Sequence, residues 1–358
     1  MRPAQPLTAA WQDIPVVLRG ITSLGVSFRP LQAGALGLDP HEALQTLLGY
    51  PFQVIRLGAY WNRIEPSVGA FLTGELDRQL DAAEQAGKQI ILCVGPIKTF
   101  GYPEFFVPAR YLGQPLPEHM RITPATHPAL LAAATDFIAR LVERYKQRQG
   151  IIAWQLEHEA VDPLGVEHSW RLDHTFVEQE VAALRASDPG RPIMMNGFLP
   201  TSSLVGLTQW RATHDQGDSL AVSQRLADIV GIDYYPRHAL LRLGARTLYL
   251  DGSASRLAQR RLRNIFVWAE AHGRQVMIAE GQAEPWEAVT TPPNPAGQRM
   301  ASCLPEHIIA SYNTCMRLSH PQALLSAYLF WGAEYWLLRA GSGDPGYLQA
   351  FARVLEEA

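Results

Sequence analysis

Short apolar runs alternate with amphipathic segments along the whole chain. The runs at 20–27, 52–57, 89–94, 151–156, 192–196, 229–234, 275–279 and 324–331 are too short for buried helices and read as strands. The segments between them read as helices, at 41–48, 75–86, 128–145, 170–186, 220–226, 255–272, 306–318 and 347–357. Between 128 and 145, Leu131, Ala134, Phe137, Ile138, Leu141, Val142 and Tyr145 fall on one face at helical spacing. Asp39 followed by Pro40 is a helix-start signal, and Gly87 and Gly273 are stop signals. Three long loops interrupt this rhythm, at 95–127, around Trp210 and His214, and at 284–305. The first carries Phe100, Tyr102, Phe105, Phe106 and Tyr111, a composition that argues against disorder.

Eight strand–helix units in strict alternation imply a parallel sheet with helices outside, and their number and length fit a single (β/α)8 TIM barrel over 1–358. The rival is a doubly wound open sheet. It would normally carry a glycine-rich phosphate turn after an early strand, and no G-x-G-x-x-G or G-x-x-x-x-G-K-[ST] occurs here. No linker or composition shift divides the chain into domains.

Composition narrows the function classes. The chain has 358 residues, 47% apolar and 18% charged, as expected of a large buried core. A net charge of -3 supplies no basic footprint, so nucleic acid is not an expected partner. Three cysteines without a C-x-x-C pair fit neither a disulfide framework nor a structural zinc site, and Cys93, inside an apolar run, reads as a small core residue. No H-E-x-x-H or H-x-H pattern suggests a metal, and no cofactor is expected. The first residues lack the apolar segment of a signal peptide, and no run of about 18 apolar residues could span a membrane. A cytoplasmic protein without a membrane partner is the expectation, with a homo-oligomer left open.

Active sites of such barrels lie at the C-terminal ends of the strands. Those positions hold Arg56 after strand two, then Gln155, His158 and Glu159 after strand four. Strand six supplies Asp233, Tyr234 and Tyr235, strand seven Glu280, and strand eight Trp331 with Glu334. Carboxylates on strands four and seven can face each other across a barrel mouth. Such a pair can protonate a leaving group and attack an electrophile, as glycoside hydrolysis by double displacement requires, with about 5–5.5 Å between them.

The same stretches resemble the retaining glycoside hydrolases of clan A, and the match is family 5-like. Val54-Ile-Arg-Leu-Gly-Ala-Tyr-Trp61 resembles the strand-two segment with its active-site Arg. Trp154-Gln-Leu-Glu-His-Glu159 resembles the acid/base motif, and Val276-Met-Ile-Ala-Glu280 the nucleophile motif. Asp228-Ile-Val-Gly-Ile-Asp-Tyr-Tyr-Pro236 resembles the segment whose Tyr hydrogen-bonds the nucleophile. Tyr328-Leu-Phe-Trp-Gly-Ala-Glu334 resembles strand eight, whose Trp floors the sugar site. Each motif is weak alone; five in order at barrel spacing are specific. One position departs: His158 stands where most of the clan has Asn. That Asn bonds the sugar 2-hydroxyl in the transition state. The β-mannanases of family 26 carry His-Glu there, so the change hints at a sugar with an axial 2-hydroxyl.

The resemblance implies Glu159 as acid/base and Glu280 as nucleophile, against the plainer reading of strand-end carboxylates in ion pairs. Glu157 alternates with Glu159 and reads as structural. Glu284 is the alternative nucleophile, although Glu280 follows the apolar run directly. Arg56, His158, Tyr235, Trp331, Glu334 and Trp286 are the expected substrate-binding residues. Arg56 could instead close a core ion pair, and Tyr235 and Trp331 could be packing. Glu334 either grips sugar hydroxyls or pairs with an Arg. Trp61, Trp210 and Trp336 are candidate subsite walls whose commoner role is packing, and His214 is a lone loop histidine. The expected activity is cleavage of β-glycosidic bonds in oligosaccharides or small glycosides. An exo-type β-glucosidase, β-galactosidase or β-mannosidase is favoured, because long loops can wall off one end of the site. A glycan-binding barrel without hydrolysis and a transglycosylase are the alternatives.

Overall fold

The computed structural model describes residues 7–101, 104–163, 168–243, 246–285, 302–319 and 325–358. Eight parallel strands close into a barrel: β1 Ser23–Ser27, β2 Val54–Gly58, β3 Gln89–Cys93, β4 Ile151–Gln155, β5 Ile193–Phe198, β6 Ile229–Tyr234, β7 Gln275–Gln282 and β8 Leu325–Trp331. Neighbours in the barrel are neighbours in sequence, with β8 closing onto β1 through Ser23↔Ala327 to Val26↔Phe330. All eight expected strands form. The largest boundary differences are at β1, which starts at Ser23 and not near Gly20, and at β7, which continues past Ala279 to Gln282 and so takes Glu280 into the strand.

The helices between strands are α1 Pro40–Leu48, α2 Gly74–Gln85, α3 Pro128–Tyr145, α4 His174–Ser187, α5 Ser219–Leu226, α6 Arg256–His272, α7 Pro305–Ser319 and α8 Gly346–Glu357. The Asp39 side chain accepts from Glu42 N, and Gly273 closes α6 with φ 61°, the left-handed conformation that glycine adopts without a Cβ penalty. Helix α4 starts four residues later than the periodicity suggests. Asp173 caps it by accepting from Thr175 N, while Arg171 and Leu172 pair instead with Arg121 and Ile122. The loop around Trp210 is largely helical, over Ser203–Thr213. Further helices at Pro30–Ala35, Trp61–Ile64 and Ala333–Gly341 and a hairpin of Arg237–Leu243 with Arg246–Asp251 were not expected from the pattern. Among the described residues no helix is long and apolar enough to cross a membrane.

The chain divides into two compact units, one of residues 1–55, 199–206 and 232–358, the other of 56–198 and 207–231. In the first, Tyr328, Phe330, Trp336 and Phe351 form a continuous aromatic core. In the second, Trp61 stacks on Tyr111 at 4.9 Å and lies 5.4 Å from Phe137 of α3. Trp61 and Trp336 are fully buried, so both are packing residues. Cys93 is buried and unpaired, as its apolar run implies.

Gly25 of β1 is required by close backbone approach: a Cβ there would lie 2.1 Å from Val54 O and 2.7 Å from Leu329 Cδ2. Gly25→Ala is expected to lower stability by about 2–3 kcal/mol, since a backbone carbonyl cannot swing aside. Gly74→Ala, where a Cβ would meet nothing within 4 Å, is the control. Urea melts of the two variants check this, and equal midpoints would contradict it.

Candidate active site

In the second unit the strand ends carry a chain of hydrogen bonds whose direction is fixed. Arg56, buried in β2, can only donate. Its Nε donates to Gln155 Oε1 at 2.6 Å, so the amide of Gln155 faces the other way. Gln155 Nε2 then donates to Asn196 Oδ1 at 3.0 Å and to Glu157 O at 2.9 Å. The Asn196 amide is thereby oriented in turn, and its Nδ2 lies 2.9 Å from His158 Nδ1. Nδ1 must accept, which leaves the imidazole proton on Nε2. The Arg56 guanidinium, 3.5 Å from the same Nδ1, enforces the same choice. It also lies 4.0 Å over the Phe100 ring. Burial, then the charges of Arg56 and Lys98, hold the His158 pKa well below its ordinary value, so the ring is neutral at pH 7.

The segment that follows β4 is bent. Glu157 and Glu159 both have left-handed backbone, φ 53° and 44°, which side chains other than glycine adopt only under constraint. The Glu157 carboxylate accepts from Ile97 N at 3.0 Å and Lys98 N at 2.5 Å. It faces Glu180 of α4, whose two oxygens lie outside strict hydrogen-bond geometry. Burial pushes Glu157 up to about 7, while the Ile97 and Lys98 amides pull it down. Burial and the Glu157 charge push Glu180 well above the carboxylate range, so Glu180 holds the proton of the pair. Glu157 thus anchors the start of the 97–98 stretch through two backbone amides. Glu159 is itself 8% exposed, four positions beyond β4, and its carbonyl accepts from the Lys98 ammonium at 2.8 Å.

In the first unit Glu280 is 2% exposed near the end of β7. The Tyr235 hydroxyl, just past β6, donates to its Oε2 at 2.6 Å. Burial, then Glu280 and Asp233, push the Tyr235 pKa well up, so the phenol keeps that proton. Tyr235 is therefore a hydrogen-bond partner of Glu280 and not merely a packed ring.

Beside this pair is a buried ion cluster. Arg29, two residues past β1, donates to Glu284 through both terminal nitrogens at 2.8 and 2.9 Å. Its Nε and Nη2 donate to Glu334 at 2.9 and 2.6 Å, and its backbone N donates to Glu334 at 2.5 Å. The guanidinium lies 4.3 Å over the ring of Trp331, which is 8% exposed. Of the two expectations for Glu334, the ion pair with an Arg is the one observed. Burial favours the neutral carboxyl of Glu334 and raises its pKa, with Arg29 opposing. Glu284 is engaged by the same Arg29.

The structure therefore joins Arg56 to His158, Tyr235 to Glu280, and Trp331 to Glu334 through Arg29. Trp286 lies outside the described residues. Trp210 is exposed on its helix with His214 5.2 Å away, and neither approaches the strand-end residues of its unit through any described contact. Asn196, Lys98, Glu180 and Arg29 escaped sequence reasoning. Asn196 was legible as the last residue of a strand run; the other three lie outside the runs, and nothing local marks them.

A family model described as β-galactosidase, of glycoside hydrolase family 42, matches residues 42–171. No curated protein matches the chain. Among solved structures, the exo-β-1,4-mannosidase Op5Man5 of Opitutaceae bacterium strain TAV5 aligns with TM-score 0.58 and 15% identity over 94% of this chain. This chain spans 59% of that protein's length. GH5_18 of Streptomyces cattleya in complex with GlcNAc aligns with TM-score 0.61 and 13% identity, over 94% of this chain and 80% of that one. Xylanase 10B of Thermotoga petrophila RKU-1 in complex with xylobiose gives TM-score 0.56 and 14% identity, over 96% and 98%. At these identities the structural likenesses concern the fold. The barrel is thus of the (β/α)8 class, and the family match falls within it over residues 42–171.

Two expectations follow from the charges. His158 is expected to stay neutral and Nε2-protonated from pH 5 to 8 in long-range 1H–15N spectra; titration near its ordinary 6.5 would contradict the chain of donors. For Glu180, a folded-state pKa raised above the ordinary 4.5 means the native state binds more protons than the unfolded state above that pH. Wild-type stability should then fall as pH rises past 4.5, and Glu180→Gln, a neutral mimic, should escape that fall. Melting temperatures at pH 5 and pH 8 measure the difference, and parallel curves would contradict it.

Proposed function

We propose that the chain is a retaining β-glycosidase of the clan A, family 5-like type, with 1–358 acting as one catalytic domain. Glu280 is its nucleophile and Glu159 its acid/base. The observation that carries this reading is the 2.6 Å bond from the Tyr235 hydroxyl to a buried Glu280 at the end of β7. A tyrosine that donates to one carboxylate oxygen orients the other for attack and supports the ionised form.

In the first step the Glu280 carboxylate attacks the anomeric carbon. Glu159 gives its proton to the glycosidic oxygen as the carbon–oxygen bond breaks, leaving a glycosyl ester on Glu280. In the second, the Glu159 carboxylate takes a proton from water, the water oxygen attacks the anomeric carbon, and Glu280 departs as carboxylate. His158 enters as an Nε2–H donor to the sugar 2-hydroxyl. It offers the polarity that an Asn amide would offer there, so the departure from the common motif keeps the bond and changes its reach. Trp331, steadied by Arg29, is the proposed sugar floor, and Arg56 and Glu334 act by orienting His158 and that floor. Exo-action on short β-glycosides is favoured, with galactosides and mannosides first in order, since the family match and the Opitutaceae relative carry those names.

A panel of aryl β-D-galactoside, mannoside, glucoside and xyloside substrates tests the activity. Glu280→Ala should lower kcat by at least about 10⁴-fold, because the covalent step has no other nucleophile. Glu280→Gly with added azide should release the glycosyl azide of inverted configuration. Near wild-type turnover in Glu280→Ala would overturn the assignment.

A further inference from the structure

Resting on the acid/base assignment of Glu159, we propose that Lys98 is a positioning residue for that glutamate. Its buried ammonium and peptide, with the Glu157 carboxylate, clamp the segment 157–159 in the bent form that presents Glu159.

Five observations meet here. Lys98 is fully buried, and its ammonium donates to two carbonyls, Glu159 O at 2.8 Å and Asp162 O at 3.1 Å. Its own peptide is held on both sides: the N–H donates to Glu157 Oε2, and the carbonyl accepts from His158 N at 2.7 Å. The neighbouring Ile97 N–H donates to the other Glu157 oxygen. Glu157 and Glu159 are both left-handed, although neither is glycine. The clamp is tight on the far side as well, where a Cβ on Gly95 would lie 2.0 Å from Glu157 N.

Left-handed backbone at a residue with a side chain is costly and persists only where surrounding contacts impose it. Apart from Gln155 Nε2 on the Glu157 carbonyl and Asp162 N on the Glu159 carbonyl, the contacts that impose it here converge on one lysine and one carboxylate from outside the proposed reacting pair. A buried ammonium is itself costly unless paired. Its charge is felt by Glu157, His158 and Asp162, and at Glu157 it favours the ionised form against burial. A purely structural need for a loop anchor would be met by any neutral donor. A charge at the Glu159 carbonyl makes the bent form stiff where an acid must meet a leaving-group oxygen within hydrogen-bond reach.

The test is the dependence of rate on leaving group. A misplaced general acid slows departure of poor leaving groups and spares good ones, which need no proton. In Lys98→Met, kcat/KM for a 4-methylphenyl glycoside of the sugar that wild type cleaves should fall about 100-fold, the low end of general-acid contributions. With the 2,4-dinitrophenyl glycoside of the same sugar it should change less than about threefold, as the leaving group departs unaided. Glu157→Gln, which keeps the shape and one acceptor oxygen, should show the same pattern more weakly, and it decides the matter if Lys98→Met does not fold. An equal loss with both glycosides, or none with either, in a variant that melts cooperatively overturns the proposal. Glu159→Ala is run alongside. If it too lacks leaving-group dependence, the acid/base assignment has failed and this inference falls with it; if only Glu159→Ala shows it, the assignment stands and Lys98 is merely structural.

Discussion

Arginine can donate hydrogen bonds and cannot accept them, and the order of the strand-end residues in one half of the molecule follows from that constraint. With Arg56 buried in β2, Gln155 has only one useful amide orientation, Asn196 inherits the next, and His158 is left with one tautomer. Each link is an ordinary hydrogen bond of modest net worth, but reversing any of them would leave two buried donors or two acceptors facing each other. The result is a neutral imidazole whose Nε2–H direction is set by a residue 102 positions earlier in the chain.

The same economy of buried charge shapes the other clusters. Glu157 and Glu180 are two carboxyls with one proton between them, and the amides of Ile97 and Lys98 settle which of them is ionised. Arg29 meets two carboxylates and lies over the Trp331 ring, so one guanidinium fixes a loop glutamate, a helix-start glutamate and an aromatic face at once. Removing one partner from such a set is far more damaging than the set is stabilising, because it leaves an uncompensated buried charge. That asymmetry makes these groups rigid, and the proposed hydrolysis needs rigidity where reacting atoms must meet in a narrow range of geometry.

Much of the barrel was legible because its signal is local. A buried parallel strand must be apolar on both faces, and a covering helix apolar on one stripe, so the eight runs and the eight amphipathic segments announce themselves. The sequence motifs also pointed to Glu280 with Tyr235, and the 2.6 Å bond between them now stands on geometry. Errors gathered where the backbone is governed by caps and loops. Asp173 delays α4 by capping it, and the 203–213 helix has little amphipathic pattern to betray it, since only Gln209 and Thr213 are buried on it.

The sequence by itself determined the fold class, the order of the strands and the strand-end positions where chemistry could sit, because each depends on periodicity within a few residues. It did not determine what those side chains touch. Lys98 belongs to a loop with no local pattern, Arg29 follows a strand by two positions, and Glu180 looks like any polar residue of an exposed helix face. Tertiary structure decided their meaning: closure of the barrel buries them beside particular carboxylates, carbonyls and rings, and only burial turns a common charged residue into a constraint. His158 shows both halves. Its place before Glu159 was visible in the sequence, while its protonation was set by Asn196 and Arg56, which the fold brings to it.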